Sequence, residues 1–215
     1  MLTFREFKAL NIRDDQKGND VNHFFSKYFV NFFAYFFYLL RLSPNQVTYI
    51  FIFTGIIGGI IGSLGFFITA YIFWRIHIII DMADGSIARV TKVFSEFGDT
   101  LDKIGHHIIY PIYWVGLSYS SGLLMLYPLL TISFIVIASS QWTLKHIFKD
   151  KSQRPKTSSY LRRLIANILG IEGFLILIIL YAYTDILSGL YLLLFLIFSN
   201  SLLFSYKLYS LMTKG

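Results

Sequence analysis

The chain has 215 residues, of which 55% are hydrophobic, 19% aromatic and only 14% charged, where a soluble domain carries about 25% charged residues. Several stretches run about 17 residues or more with almost no charge, the length that crosses a bilayer. A soluble globular enzyme, a disordered chain and a disulfide-stapled secreted domain are therefore excluded, and the absence of cysteine removes thiolate metal sites and cysteine nucleophiles as well. The formal net charge of +7 reads, in a membrane chain, as a marker of the cytoplasmic side and not as a nucleic-acid surface.

Residues 1–20 are polar and of mixed charge (Arg5, Glu6, Lys8, Arg13, Asp14, Asp15, Lys17, Asp20). No basic tip leads into an apolar run, so no signal peptide is expected. Residues 21–42 are aromatic-rich and interrupted at helical spacing by Asn22, His23, Ser26, Lys27 and Asn31. The clean apolar part, 32–40, is too short to span, which predicts an amphipathic helix lying in the membrane interface, with a seventh span as the competing reading. Six apolar arms follow at 45–64, 66–90, 97–117, 123–148, 164–183 and 186–208. The expected fold is an all-α membrane protein with a cytoplasmic segment and interfacial helix at 1–42 and a domain of six transmembrane helices at 43–215. The turns at 63–65, 118–122 and 184–189 hold no Lys or Arg, whereas Arg41, Arg89, Lys92, the run 145–163, Lys207 and Lys214 fall on the opposite side. Both termini are thus expected in the cytoplasm. Gly55, Gly58, Gly59 and Gly62 in the first arm form two interleaved small-xxx-small pairs, which let another helix approach closely.

Ionisable side chains inside a membrane are costly, and most of them fall between positions 81 and 107. At 3.6 residues per turn, Asp81, Asp84, Gly85 and Ala88 share one stripe of the second arm, and Asp99, Asp102 and His106 share one stripe of the third. A short turn near 91–95 makes the two arms antiparallel neighbours, so four carboxylates and an imidazole are expected to face one another near the cytoplasmic membrane level. Ionised together in a poor dielectric they repel, and divalent cations neutralise them at least cost. Oxygen ligands without sulfur indicate magnesium, manganese or calcium. Gly85 and Ala88 clear space for something large at the helix backbone, such as a nucleotide, and Arg89 can pair with an acid or a phosphate. Cations clamped by carboxylates beside small residues and an arginine suit phosphoryl-group transfer.

This run resembles the signature of the CDP-alcohol phosphatidyltransferase family, Asp-x2-Asp-Gly-x2-Ala-Arg-x8-Gly-x3-Asp-x3-Asp. Asp81, Asp84, Gly85, Ala88, Arg89, Gly98 and Asp102 match it at every spacing, and Ser95 is also typical. Upstream, Pro44, Asn45 and Thr48 resemble the family's Pro-Asn-x-x-Thr at the start of the first span. An interfacial helix followed by six spans fits as well, so the resemblance covers nearly the whole chain. It implies a two-metal site, Mg2+ or Mn2+, held by Asp81, Asp84, Asp102 and the group at 106. It also implies a nucleotide site of Pro44, Asn45, Thr48, Asp81, Gly85, Ala88, Arg89, Ser95 and Gly98. The implied donor is a CDP-alcohol such as CDP-diacylglycerol, the acceptor a small alcohol or phospho-alcohol, and the setting the lipids of a bacterial or archaeal cell (inner) membrane, with a homodimer as the assembly.

One position departs. Where the family has its last aspartate, a metal ligand and proton acceptor, this chain has His106. Histidine can fill either role, which leaves His106 and Asp102 as the catalytic pair, but it supplies no negative charge. Asp99, on the same face, could restore that charge as a further metal ligand. A degenerate site that binds the nucleotide without turnover is the alternative. A soluble CDP-alcohol donor with a lipid acceptor is the runner-up enzyme. An ion transporter is opposed by the Gly-x2-Ala-Arg spacing and the lack of evident inverted repeats.

The run 145–163 carries seven cations against Asp150 alone. Topology and anionic headgroups account for much of this; the sharper reading is that Lys156, Arg162 and Arg163 bind a phosphate on the acceptor. His77 could shape the acceptor pocket or make a hydrogen bond between helices. Glu172 could meet Arg75 or a substrate hydroxyl. His107 is expected to be packed, and Asn200 to bond across helices.

Overall fold

The computed structural model describes residues 2–11, 21–147, 171–184 and 189–212, and their regular structure is helical throughout. The first element has no counterpart among the expected helices. Thr3 and Glu6 form a capping box that starts α1 (Phe4–Leu10), leaving fewer unsatisfied backbone groups at its first turn. The Thr3 backbone N–H and then its hydroxyl donate to the exposed Glu6 carboxylate, which holds it below the usual carboxylate range. A helix this short is marginal alone; it is held by docking. Phe7 is fully buried, with its ring 5.6 Å from that of Tyr35 and 5.3 Å from that of Tyr38.

Those tyrosines belong to α2 (Val21–Leu39). Val30, Ala34 and Phe37 are spaced to share one face and are buried, and α2 packs along the fourth helix. Phe29, Phe32 and Phe36 point outward. The apolar stretch of α2 within the described side chains is Phe29–Leu39, shorter than the roughly 20 residues needed to span.

Ser43 and Gln46 form a second capping box, with Pro44 in the first turn of α3 (Pro44–Ser63). α4 (Phe67–Thr91) ends at Lys92, whose φ of 59° closes the helix in the left-handed conformation. Ser95 then caps α5 (Glu96–Ser120) by accepting from the Gly98 N–H at 2.9 Å. The expected turn at 91–95 is therefore present. α3 packs against both α4 and α5, and its glycines make this possible. A Cβ on Gly55 would lie 2.6 Å from Ile109 Cδ1, and one on Gly116 of α5 would lie 2.8 Å from the Gly59 carbonyl oxygen. At the far end Ser120 Oγ donates to the Gly62 carbonyl at 2.7 Å.

The fourth arm is not one helix. A single turn, α6 (Leu123–Leu126), stops at Tyr127 (φ −136°, ψ 59°), and α7 (Pro128–Ile147) starts afresh. Pro128 is the cause, since the residue before a proline is driven out of the helical region. α8 (Ile171–Thr184) and α9 (Gly189–Met212) complete the described chain; residues 148, 164–170 and 186–188 of the expected arms lie outside it. Pro44–Ser63 and Gly189–Tyr206 are long and apolar enough to cross a membrane. α4 and α5 are as long but carry the ionisable groups. Asn200 is buried, and its Nδ2 donates to the Leu196 carbonyl of its own helix at 2.8 Å; among the described residues the expected bond across helices is not found.

Candidate functional site

α3, α4 and α5 meet at the end where α3 begins and the 92–95 turn joins the other two. A cleft of about 840 Å³ opens there, within the range of roughly 300–1,000 Å³ typical of small-molecule sites. Pro44, Asn45 and Thr48 reach it from α3, Asp84, Gly85, Ala88 and Arg89 from α4, and Ser95, Gly98, Asp99 and Asp102 from the turn and α5. Residues distant in sequence thus share one wall system because each stripe is one helical face and the turn between two of the helices is only four residues long.

Behind Asp102, which lines the cleft, stand His106 and Asp81, which do not: His106 Nε2 lies 3.5 Å from Asp81 Oδ1 and 3.5 Å from Asp102 Oδ1, joining α4 to α5. Ligand atoms of Asp81, Asp102 and His106 all fall within 4.8 Å of one another, and among the described residues these form the set close enough to share an ion. Two oxygens bound at 2.0–2.1 Å to one Mg2+ lie at most about 4.2 Å apart, so small side-chain shifts close the set. Its hard oxygens and single imidazole fit Mg2+ or Mn2+. Asp84 stands outside that trio and accepts from the Thr48 hydroxyl at 2.7 Å. Thr48 therefore fixes a carboxylate at the cleft.

Asp99 does not join the trio. It is exposed and paired with Lys103 at 2.6 Å, one turn along the same helix, although it still lines the cleft. The lysine at i+4 neutralises locally the charge expected to compensate for His106. Gly98 is required by packing: a Cβ there would lie 2.6 Å from Asn45 Oδ1 and 3.0 Å from Ser95 Oγ. At Gly85 a Cβ would crowd one atom, Arg89 Nη1, at 3.3 Å.

Beneath the trio lies an aromatic floor. Phe51 faces His106 at 5.4 Å between ring centroids, and Tyr110 faces it at 5.1 Å. His77 is fully buried against Trp74 at 4.5 Å; among the described residues it makes no hydrogen bond to another helix, and it does not line the cleft. His107 is exposed, its Nδ1 2.8 Å from the Lys103 carbonyl oxygen, and is not packed as expected. Lys156, Arg162, Arg163 and the Glu172 side chain lie outside the described residues. The structure adds two groups that the motif spacing did not flag, Ser86 and Asn11. Arg89 Nη2 donates to Ser86 Oγ at 3.0 Å, and Arg89 Nε donates to Asn11 Oδ1 at 3.1 Å. Ser86 lies three residues before Arg89, a spacing that places it on the same helical face. Asn11 carried no sequence signal.

No match to this chain occurs among curated proteins. The CDP-alcohol phosphatidyltransferase family model matches residues 41–202, a stretch that contains α3 to α7 and every motif residue of the cleft. With three quarters of its length so matched, the chain belongs to the CDP-alcohol phosphatidyltransferase family, membrane proteins that transfer a phospho-alcohol group from a CDP-alcohol.

Proposed function

We propose that the protein transfers a phosphatidyl group from CDP-diacylglycerol to a small alcohol and releases CMP. The observation that carries this reading is the convergence of motif positions of three helices on one cleft, with Asp84 and Asp102 on its wall and Asp81 and His106 grouped with Asp102. Pro44, Asn45, Gly85, Ala88, Ser95 and Gly98 shape the nucleotide part, and small residues at 85 and 98 let the ligand approach the backbone. Arg89 pairs with a phosphate. Asp81, Asp84 and Asp102 would hold the divalent cations, which neutralise charge on the diphosphate and on the departing CMP. Exposed Val93 and Phe94 border the same cleft and offer an apolar rim to a lipid donor.

His106 Nε2 takes the proton of the acceptor hydroxyl, and the carboxylate oxygens of Asp81 and Asp102, each 3.5 Å away, orient the ring for that transfer. The acceptor oxygen forms its bond to the phosphorus that carries the diacylglycerol, the bond from that phosphorus to the bridging oxygen breaks, and CMP departs with that oxygen. Lys156, Arg162 and Arg163 are assigned to a phosphate on the acceptor on the strength of their sequence alone. Arg41, Arg89 and Lys92 share the end of the bundle that holds the cleft, while the turns 63–65 and 118–122 at the other end hold no Lys or Arg. This supports six spans with the cleft and both termini on the cytoplasmic side.

Purified protein given CDP-diacylglycerol, Mn2+ and a panel of alcohols should release CMP and form a phosphodiester lipid identifiable by mass spectrometry. Cation flux through reconstituted vesicles without CMP release would instead make the acidic cluster an ion-transport site.

A further inference from the structure

We infer that Asn11 is a positioning residue of the nucleotide cleft, holding Arg89 in place and so making helix α1 a working part of the donor site. The inference rests on the cleft being the nucleotide site, as proposed above. It concerns a segment outside the family-matched stretch, which begins at residue 41.

Asn11 is only 4% exposed, and its amide is used on both sides. Its Oδ1 accepts from Arg89 Nε at 3.1 Å, and its Nδ2 donates to Asn31 Oδ1 of α2 at 2.8 Å. An arginine has no acceptor, so the carbonyl edge must be the one that faces it. Ser86 Oγ takes Arg89 Nη2 at 3.0 Å and itself donates to the Met82 carbonyl at 3.0 Å. The guanidinium is thus gripped at two edges while Nη1 stands over Gly85, on the wall of the cleft. A planar fork loses rotamer freedom when it binds a phosphate; a fork already held has less left to lose.

The grip depends on the docking of α1. The backbone N–H of Asn11 donates to the Phe7 carbonyl at 3.0 Å, and Phe7 is fully buried between Tyr35 and Tyr38. Leu2 is fastened on α2 as well, its N–H donating to the Tyr38 hydroxyl at 3.3 Å and its carbonyl accepting from the Tyr35 hydroxyl at 3.1 Å. α1 therefore acts as a brace that delivers one carbonyl oxygen to the motif arginine. By linkage, nucleotide bound to Arg89 must in turn strengthen the docking of α1.

The experiment is a double-mutant cycle read as CMP affinity, by calorimetry on the full chain in detergent with Mn2+. Asn11→Ala should weaken CMP binding about three- to tenfold, leave kcat at saturating donor within about twofold, and add nothing in an Arg89→Ala background. Asn11→Asp, which keeps the acceptor oxygen, should bind CMP better than Asn11→Ala. An Asn11→Ala protein that binds CMP like wild type, or one whose loss is undiminished in the Arg89→Ala background, overturns the inference while leaving the nucleotide site intact. Wild-type protein that binds no CMP overturns both. A second measurement needs no variant at Asn11: CMP should slow hydrogen exchange of residues 4–11 in wild type and not in Arg89→Ala, and equal exchange with and without CMP in wild type contradicts the coupling.

Discussion

An imidazole stands at position 106, where the family signature has an aspartate. Nε2 is equidistant from the carboxylates of Asp81 and Asp102, so the ring faces an acceptor oxygen on each of two helices. General bases contribute about 10²–10⁴-fold to turnover. His106→Ala should accordingly cost about that much in the rate of CMP release, measured at saturating donor and acceptor. His106→Asp, which returns a carboxylate of the kind the family resemblance expects, should keep measurable turnover. An alanine variant with wild-type turnover would remove His106 from the mechanism. Asp99 illustrates the opposite case, a residue whose stripe suggested metal binding but whose nearest charge is Lys103. Stripe membership sets a direction; the partner within reach decides the role.

Among the elements, α3 matters most for where the site can form. Its glycines bring α4 and α5 close enough that Thr48 reaches Asp84 and Asn45 reaches Ser95. The tightest contact with rigid backbone is Gly116 against the Gly59 carbonyl oxygen, where no side chain can rotate out of the way. Gly116→Val forces α3 and α5 apart and should destabilise the protein by about 1–3 kcal/mol, read as a lowered thermal midpoint in detergent. An unchanged midpoint would mean that the two helices are not held by this contact. Capping residues act at the other end: Ser43 fixes the start of α3 and Ser95 the start of α5, and both starts border the cleft.

Over the whole molecule, the legible features were those written in periodicity and spacing. Long apolar runs announced α3, α4, α5 and α9 to within a few residues, and the acids of α4 and α5 announced the cleft because helical spacing alone places them on one face. The break at Tyr127 was also readable in principle, from Pro128, but a continuous apolar pattern masked it. α1 and Asn11 were not readable, because seven polar-flanked residues acquire a role only by docking Phe7 between two tyrosines of α2. A contact spanning residues 11 and 89 leaves no local pattern. The pairing of Asp99 with Lys103 does follow a local pattern, the i,i+4 spacing, which competes with the stripe that pointed Asp99 toward the other acids.

The proposed chemistry requires that carboxylates of α4 and α5 bind divalent cations, which in turn hold a cytidine nucleotide's phosphates in this cleft. Anomalous diffraction at the manganese edge, from crystals soaked with Mn2+ and a CDP-alcohol, decides whether they do. Manganese peaks are expected within bonding distance of Asp81 and Asp102, with the diphosphate beside Arg89. A cleft without manganese or nucleotide, its acids paired instead with lysines, would contradict it.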